Sequence, residues 1–466
     1  MKFIAVAALA LTLPGIARAE AWLVVEADTG RVLQADNATM PWYPASVTKI
    51  MTAYVTLKAV KEGRLSLERT LTVSPVAASQ SPSKMGFRPG TLVTVENALA
   101  MMMVKSANDM AVVLAEGVGG SVDGFSAMMN QTAQRLGMTQ STYVNPNGLP
   151  ADGQVTSARD LAILARAVIR DLPEYEYFMH IPAIRFGRRT TANFNRLIGR
   201  YPGADGFKTG FICASGYNLV ASATRNGKRL IAVVLGSSSG QARAVRAAQL
   251  LERGFGNTGL SWLRPSLGSV DSLAPIDATP PNLREEMCNG KRRRPATDED
   301  SDSVTLAANG GASGGETGVS FFTAGLQAPM PKPSELLLAD YPVGEPMVVY
   351  TGPKKSGAGL IAAVATDSEK QTSRRGKRSR VAAKKPDGAA EPKAAETRTA
   401  ARPEQKPAKP KVQHALAKPE AAAAKPADKP ATAAKPAAKP ATAAKPAASA
   451  KPASTAKPKP EAKPAG

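Results

Sequence analysis

Between residue 20 and about residue 256 the apolar positions follow two periods. Trp22 to Glu26 and Arg31 to Gln34 flank Asp28-Thr29-Gly30 and predict a β-hairpin. Ala45 to Glu62 predicts a helix that Gly63 stops. Helical spacing returns at 95–104, 107–116, 122–136 and 157–170. Phe207 to Ile212, Tyr217 to Thr224 and Arg229 to Leu235 predict three strands, and Asn226-Gly227 is a strong hairpin turn between the last two. A closing helix is predicted from Gln241 to Arg253. Strands at both ends with helices between them predict an α/β (α+β) domain over 20–258. Its single sheet is built from the two chain ends, with an α-rich insertion.

The flanks read differently. Lys2, the apolar run Phe3 to Leu13 and Ala17-Arg18-Ala19 fit a secretory signal over 1–19, so a mature chain starting at Glu20 is expected in an oxidising compartment. Residues 259–365 read as a linker with short apolar stretches, Met347 to Tyr350 among them, able to dock on the main domain. Within it lie a basic block, Lys291 to Arg294, an acidic one, Asp298 to Asp302, and a Gly-rich stretch, Asn309 to Gly318. From 366 to 466 no apolar period is visible, and 13 Lys-Pro dipeptides fall between Lys385 and Lys463. That composition predicts an extended, disordered tail.

Charge and composition then narrow the function. The net charge is +22 over 466 residues. From residue 370 on there are 24 basic and 7 acidic residues, and no Phe, Trp, Tyr or Ile. The basic character therefore belongs to the tail and not to a nucleic-acid-binding core. With His414 in that tail, a Ser-His-Asp triad would have to use His180, and two histidines and two cysteines cannot build a multi-histidine or multi-cysteine zinc site. No metal or other cofactor is expected. Catalysis would rest on Ser, Lys, Thr, Asp or Glu. Cys213 and Cys288 are the only cysteines, and in an exported protein they are candidates for a disulfide; a buried free Cys213 with an exposed Cys288 is the alternative.

Three Ser-x-x-Lys pairs occur, and on a helix such a pair sets hydroxyl and amine on one face. Ser454-x-x-Lys457 is in the tail and Ser81-x-x-Lys84 contains Pro82, so only Ser46-Val47-Thr48-Lys49 opens a credible helix. There the lysine can activate the serine, whose N–H lies near the positive helix end. Taken alone, the pair is better read as a capping serine and a solvated lysine. Ser106-Ala107-Asn108, between two helical segments, adds a hydroxyl for proton relay and an amide for a peptide carbonyl. Lys208-Thr209-Gly210, on a predicted strand, adds a cation, a hydroxyl and a glycine that admits substrate backbone.

Together these three motifs resemble those of penicillin-binding proteins and serine β-lactamases. Pro44 to Thr52, Asn145-Pro146-Asn147-Gly148-Leu149, Tyr201 to Gly210 and Gly216 to Ala221 resemble the low-molecular-mass D-alanyl-D-alanine carboxypeptidases in particular. The resemblance covers roughly 20–256. It implies a transpeptidase-like α/β sandwich with an all-helical region and the site between them. It implies attack by Ser46 on the bond between terminal D-alanines of a peptidoglycan stem peptide, with Lys49 as base and β-lactams as inhibitors. It implies proton relay by Ser106 and substrate contact by Asn108. Lys208 and Thr209 would hold the terminal carboxylate, and the N–H groups of Ser46 and Phe211 would form an oxyanion hole. An arginine about 35 residues after the Lys-Thr-Gly lysine completes the pattern; Arg243 stands there, with Arg246 close enough to compete.

Family members often end in a β-rich domain and an amphipathic membrane-anchoring helix, and no such helix is visible in this sequence. Residues 140–160 contain no Glu-x-x-Leu-Asn, which makes a β-lactamase the lesser reading. Endopeptidase action on cross-links shares all three motifs. An inactive wall-polymer-binding protein is the alternative of another class. The signal places the protein outside the inner membrane, periplasmic or wall-associated, so the tail's partners would be anionic envelope polymers and not nucleic acid. Gly311-x-Ser313-x-Gly315 lacks the strand and helix of a nucleophile elbow, Met101-Met102-Met103 reads as helix core and His180 as structural.

Overall fold

The computed structural model describes residues 20–256, 266–289, 337 and 344–382. The predicted signal, the charged blocks at 291–302, the Gly-rich stretch at 309–318 and the Lys-Pro-rich stretch lie outside the described residues.

The chain begins with a hairpin, β1 (Ala21–Glu26) and β2 (Val32–Asp36). A 3-10 turn, Ala45–Thr48, leads into α1 (Lys49–Lys61). A small ribbon of β3 (Thr70–Thr72) and β4 (Leu92–Thr94) brackets α2 (Pro75–Ser79). Helices α3 (Val95–Val104), α4 (Asn108–Gly119), α5 (Val122–Leu136) and α6 (Ala158–Asp171) follow. After a second ribbon, β5 (Ala183–Phe186) with β6 (Arg189–Ala192), come β7 (Ala204–Ile212), β8 (Gly216–Arg225) and β9 (Lys228–Ser237). Then come α7 (Gly240–Phe255), α8 (Arg284–Cys288), β10 (Met347–Val349) and α9 (Gly357–Ala382).

The main sheet is antiparallel with strand order β2-β1-β9-β8-β7, so the first and last strands of the domain are neighbours. Asn226 and Gly227 both have positive φ, as a type I′ turn between β8 and β9 requires. Side chains alternate between two cores. Val24, Leu219, Ala221, Leu230, Ala232 and Val234 pack on the face of α7 that carries Ala244, Ala247 and Leu251. Leu23, Val25, Val220, Ile231, Val233 and Leu235 join the helical core on the other side. Burial on both faces is why these strands read as nearly unbroken apolar runs.

The predicted Ala45–Glu62 helix divides in two. Its first turn is 3-10, with Ala45 at φ 50° and the α-helix starting at Lys49. Helix α1 is the core of the helical region: Ile50, Met51, Ala53, Val55 and Leu57 are buried on every side of it. Helices α2, α3, α5, α6 and α7 begin on side-chain caps. Ser74, Thr94, Ser121, Ser157 and Ser239 each accept the N–H three residues on. Met101, Met102 and Met103 are buried in α3.

Beyond α7 the chain returns to this domain. Leu283 and Met287 of α8 are buried in the helical core, and Cys288 is disulfide-bonded to Cys213 just past β7, with a Cα–Cα distance of 5.8 Å. Strand β10 pairs in parallel with β5, matching Met347 to Ile184 and Val349 to Phe186. Helix α9 corrects the expectation that regular structure ends at 365, because it runs on to Ala382. No proline lies between Pro353 and Pro386, and the intervening Ala, Lys, Arg, Glu and Gln residues are good helix formers. Asp367, buried on α9, accepts hydrogen bonds from Thr351 Oγ1 at 3.0 Å and Thr351 N at 3.2 Å. No helix among the described residues is long and apolar enough to cross a membrane.

Candidate active site

The 3-10 turn bearing Ser46 is clasped from three sides. Asn218 on β8 donates from Nδ2 to Tyr43 O at 3.0 Å and Pro44 O at 3.1 Å, while its Oδ1 accepts Gly236 N. Gly148, at φ 80°, lies so close that a Cβ there would sit 1.8 Å from Ala45 O. On β7, a Cβ on Gly210 would sit 2.8 Å from Ser46 N. Gly210 was expected to admit substrate backbone; the close approach it permits is that of the protein's own serine-bearing turn.

Lys49 follows on the first turn of α1 and is fully buried. Its Nζ lies 2.9 Å from Ser46 Oγ, 2.7 Å from Asn108 Oδ1 and 2.7 Å from the Asn147 carbonyl oxygen. Asn108 starts α4; its Nδ2 donates to Pro82 O and its backbone N–H to Ser83 O. Ser106 precedes it at φ 58°, a left-handed conformation that aims the short segment before α4 back at the serine turn. Ser106 and Asn108 line a cavity of about 230 Å3 together with Ser46, Phe194, Phe211 and Arg284.

The Lys-Thr-Gly motif sits on β7. Lys208 and Thr209 are each 1% exposed. Lys208 Nζ donates to Thr209 O at 3.1 Å, and Thr209 Oγ1 is buried with no hydrogen-bond partner. Phe211 stacks on Tyr217 with ring centroids 4.2 Å apart. Arg243 of α7 is buried against the back of the same strands, its guanidinium 3.5 Å from Gly210 O, 3.4 Å from Asn218 O and 5.6 Å from the centre of the Tyr217 ring. Arg246 points elsewhere, over Trp22 and 3.9 Å from Glu20. Of the two arginines, Arg243 is the one beside the Lys-Thr-Gly strand.

Several contacts of the site were not expected from the sequence. Lys49 is held by the backbone of Asn147, not its side chain. Asp109 accepts from Met85 N, Gly86 N and Met110 N, and so fixes the 82–86 loop whose carbonyls hold Asn108. Burial pushes the Asp109 carboxyl above the ordinary aspartate range, against those three donors. Arg284 reaches the cavity from α8. Ser81-x-x-Lys84 is loop, as expected, yet its Pro82 and Ser83 form part of the wall. His180 is not among the residues lining the cavity, and its Nδ1 is buried with no partner. Among the described residues no group of three His, Cys, Asp or Glu is placed to hold a metal ion.

Fold and site together set a buried lysine amine beside a serine hydroxyl, between a five-stranded sheet and a helical region. The family model described as D-alanyl-D-alanine carboxypeptidase, peptidase S11, matches residues 9–239. D-alanyl-D-alanine carboxypeptidase DacC of Escherichia coli is 39% identical over 245 residues, 51% of this chain and 61% of the relative. DacB2 of Mycobacterium tuberculosis is 33% identical over 247 residues, 51% of this chain and 82% of the relative. The solved structure of penicillin binding protein 5 from Haemophilus influenzae aligns at TM-score 0.50 and 35% identity, covering 52% of this chain and 72% of that one. This chain belongs to the D-alanyl-D-alanine carboxypeptidase family. It spans about three fifths of the length of the first curated relatives it matches.

Proposed function

We propose that this chain is a serine D-alanyl-D-alanine carboxypeptidase that trims the terminal D-alanine from peptidoglycan stem pentapeptides. The observation that carries the reading is the buried Lys49 amine held 2.9 Å from Ser46 Oγ. A neutral amine keeps two hydrogens, which Asn108 Oδ1 and Asn147 O accept, and turns its lone pair to the serine hydroxyl. Ser46 Oγ then attacks the carbonyl carbon and its proton passes to Lys49. The N–H groups of Ser46 and Phe211, both residues of the cavity lining, are the proposed donors to the developing oxyanion. The C–N bond breaks as the leaving D-alanine takes a proton relayed by Ser106, and water later cleaves the ester. The unpartnered Thr209 hydroxyl, with Lys208 and Arg243, supports a binding place for the terminal carboxylate.

The test is labelling with a fluorescent penicillin beside D-alanine release from a purified pentapeptide muropeptide. Ser46→Ala is expected to abolish both and to retain the wild-type melting temperature. Label persisting on Ser81 in that variant would overturn the assignment. Cross-linked muropeptide dimers as a second substrate separate carboxypeptidase from endopeptidase action by product. The place of action that follows is the periplasm or wall, and the basic stretch after residue 370 is assigned to anionic envelope polymers.

A further inference from the structure

Residues 344–369 lie beyond the 9–239 span that the family model matches, yet they are fastened into the domain. Strand β10 adds to β5 in parallel and sets buried Val349 opposite Phe186. Asn97 Nδ2 of α3 donates to Tyr350 O at 3.2 Å, and Gly352 N donates to Leu92 O of β4 at 2.7 Å. Buried Asp367 of α9 holds Thr351 by both its backbone N–H and its hydroxyl. Residues 344–369 thus form a strap stitched to a hairpin, a helix and a strand.

The hairpin that the strap extends leads to the Ser46 cavity by two routes. Phe186 packs edge-on against buried Phe87, with ring centroids 5.3 Å apart and planes at 68°. Phe87 closes the 82–87 segment, whose Pro82 and Ser83 line the cavity. Pro82 O and Ser83 O accept from Asn108, Ser83 Oγ donates to Lys105 O at 2.8 Å, and Met85 N and Gly86 N donate to Asp109. Asn108 in turn holds Lys49. At the far end of the hairpin, Asn193 closes on Pro182 O and Ile181 O, and the next residue, Phe194, lines the cavity.

From these contacts we propose that the strap of residues 344–369 is a positioning element for the reaction. Through β5 and the Phe186–Phe87 pair it sets the 82–87 wall, and with it Asn108 and Lys49. The proposal deepens the carboxypeptidase reading and rests on it for its kinetics. Edge-to-face rings favour one mutual arrangement, so Phe87 is held more narrowly than it would be against an aliphatic side chain. A displacement of about 1 Å in an orienting group can cost a reaction about a hundredfold.

The experiment follows the full chain by penicillin acylation kinetics and by amide hydrogen exchange. Asp367→Ala, which releases Thr351, is expected to slow acylation about tenfold and to speed exchange at Met85 and Gly86 as well as at Thr351 and Gly352. Phe186→Leu should do the same at Met85 and Gly86 while Thr351 stays protected. Phe186→Tyr, which keeps the ring, should stay within about twofold of wild type. The double variant of Asp367→Ala and Phe186→Leu should acylate no more slowly than the slower single one, because both act through one contact. Lys354→Ala removes only an exposed ion pair with Glu68 and should change acylation by about twofold at most. Acylation of the wild-type protein should in turn slow exchange at Thr351 and Gly352, since coupling between two sites is reciprocal. If Asp367→Ala does not fold, Phe186→Leu and this wild-type measurement decide. Faster exchange confined to the strap with wild-type acylation in Asp367→Ala would overturn the proposal. So would slowed acylation with unchanged exchange at Met85 and Gly86, or strap exchange indifferent to acylation. If penicillin does not label the wild-type protein, the carboxypeptidase reading falls, and exchange at Met85 and Gly86 in the two single variants still decides the role of the strap.

Discussion

Lys49 meets Ser46, Asn108 and Asn147 and has no surface facing water, so its substitution tests the amine itself. Lys49→Arg keeps the charge but cannot give up a proton. Acylation by penicillin is expected to fall at least about a hundredfold, the scale of general-base catalysis. An unchanged far-UV spectrum and melting temperature would show that the fold survives; acylation near the wild-type rate would exclude the base role. The two arginines of α7 give a second contrast. Arg243→Ala removes a guanidinium from behind Gly210, whereas Arg246→Ala removes one from above Trp22. Loss of a hydrogen bond to a charged group is worth about 1.5–3 kcal/mol. Peptide hydrolysis by Arg243→Ala should therefore drop by about tenfold or more, with a smaller effect on acylation by the intrinsically reactive β-lactam. Arg246→Ala should behave as wild type on both. Equal losses on the two substrates, or a larger effect from Arg246→Ala, would move the carboxylate contact elsewhere.

At the scale of elements, α8 shows how a remote segment is recruited to the site. Its disulfide closes a loop of 75 residues, and in the chain-entropy model such a closure adds about 4 kcal/mol. Cys288→Ser is expected to lower the melting temperature measurably and to raise proteolysis near α8, while Ser46 still acylates, because Lys49 and Asn108 are held by other elements. Loss of penicillin labelling in a folded Cys288→Ser protein would show that the bridge shapes the serine turn itself. The bridge was open to proposal from the chain's two cysteines and an expected export, but the position of Arg284 was not: it depends on a contact between residues 75 positions apart. What was legible followed the local pattern. Helices α3, α5 and α6 and the hairpin at Asn226-Gly227 have clear periods, caps or turn residues. Helix α1 is buried all round, so its period is faint, and the 3-10 start at Ala45 is imposed by Asn218, Gly148 and Gly210. Short elements such as β5 and β6 exist by pairing and leave little trace in four residues, whereas β10 was visible as the apolar stretch Met347 to Tyr350 but its partner β5 was not. The motif residues of the site were readable because side chains carry them. The Asn147 carbonyl was not, because a backbone acceptor has no signature of its own.

Across the whole molecule, charge and chemistry are separated along the chain. The first 369 residues hold 36 basic and 31 acidic residues, and the 24 basic residues from 370 on face only 7 acidic ones. In the proposed reading, hydrolysis at Ser46 and attachment to polyanionic polymers fall to different stretches of sequence. If that reading holds, the basic stretch binds anionic wall and envelope polymers by an attraction that is screened beyond about 8 Å at physiological ionic strength. Removing residues 388–466 should leave release of D-alanine from a small soluble peptide within about twofold of the full chain. The same truncation should weaken co-sedimentation with purified sacculi at low salt. The full chain's bound fraction should fall steeply as salt rises, whereas the truncated chain's should change little. Equal sedimentation of the two forms at low salt would remove the wall-binding role. A truncated form that also loses hydrolysis of the small peptide would show that the basic stretch supports the catalytic domain directly, against the division of labour argued from charge.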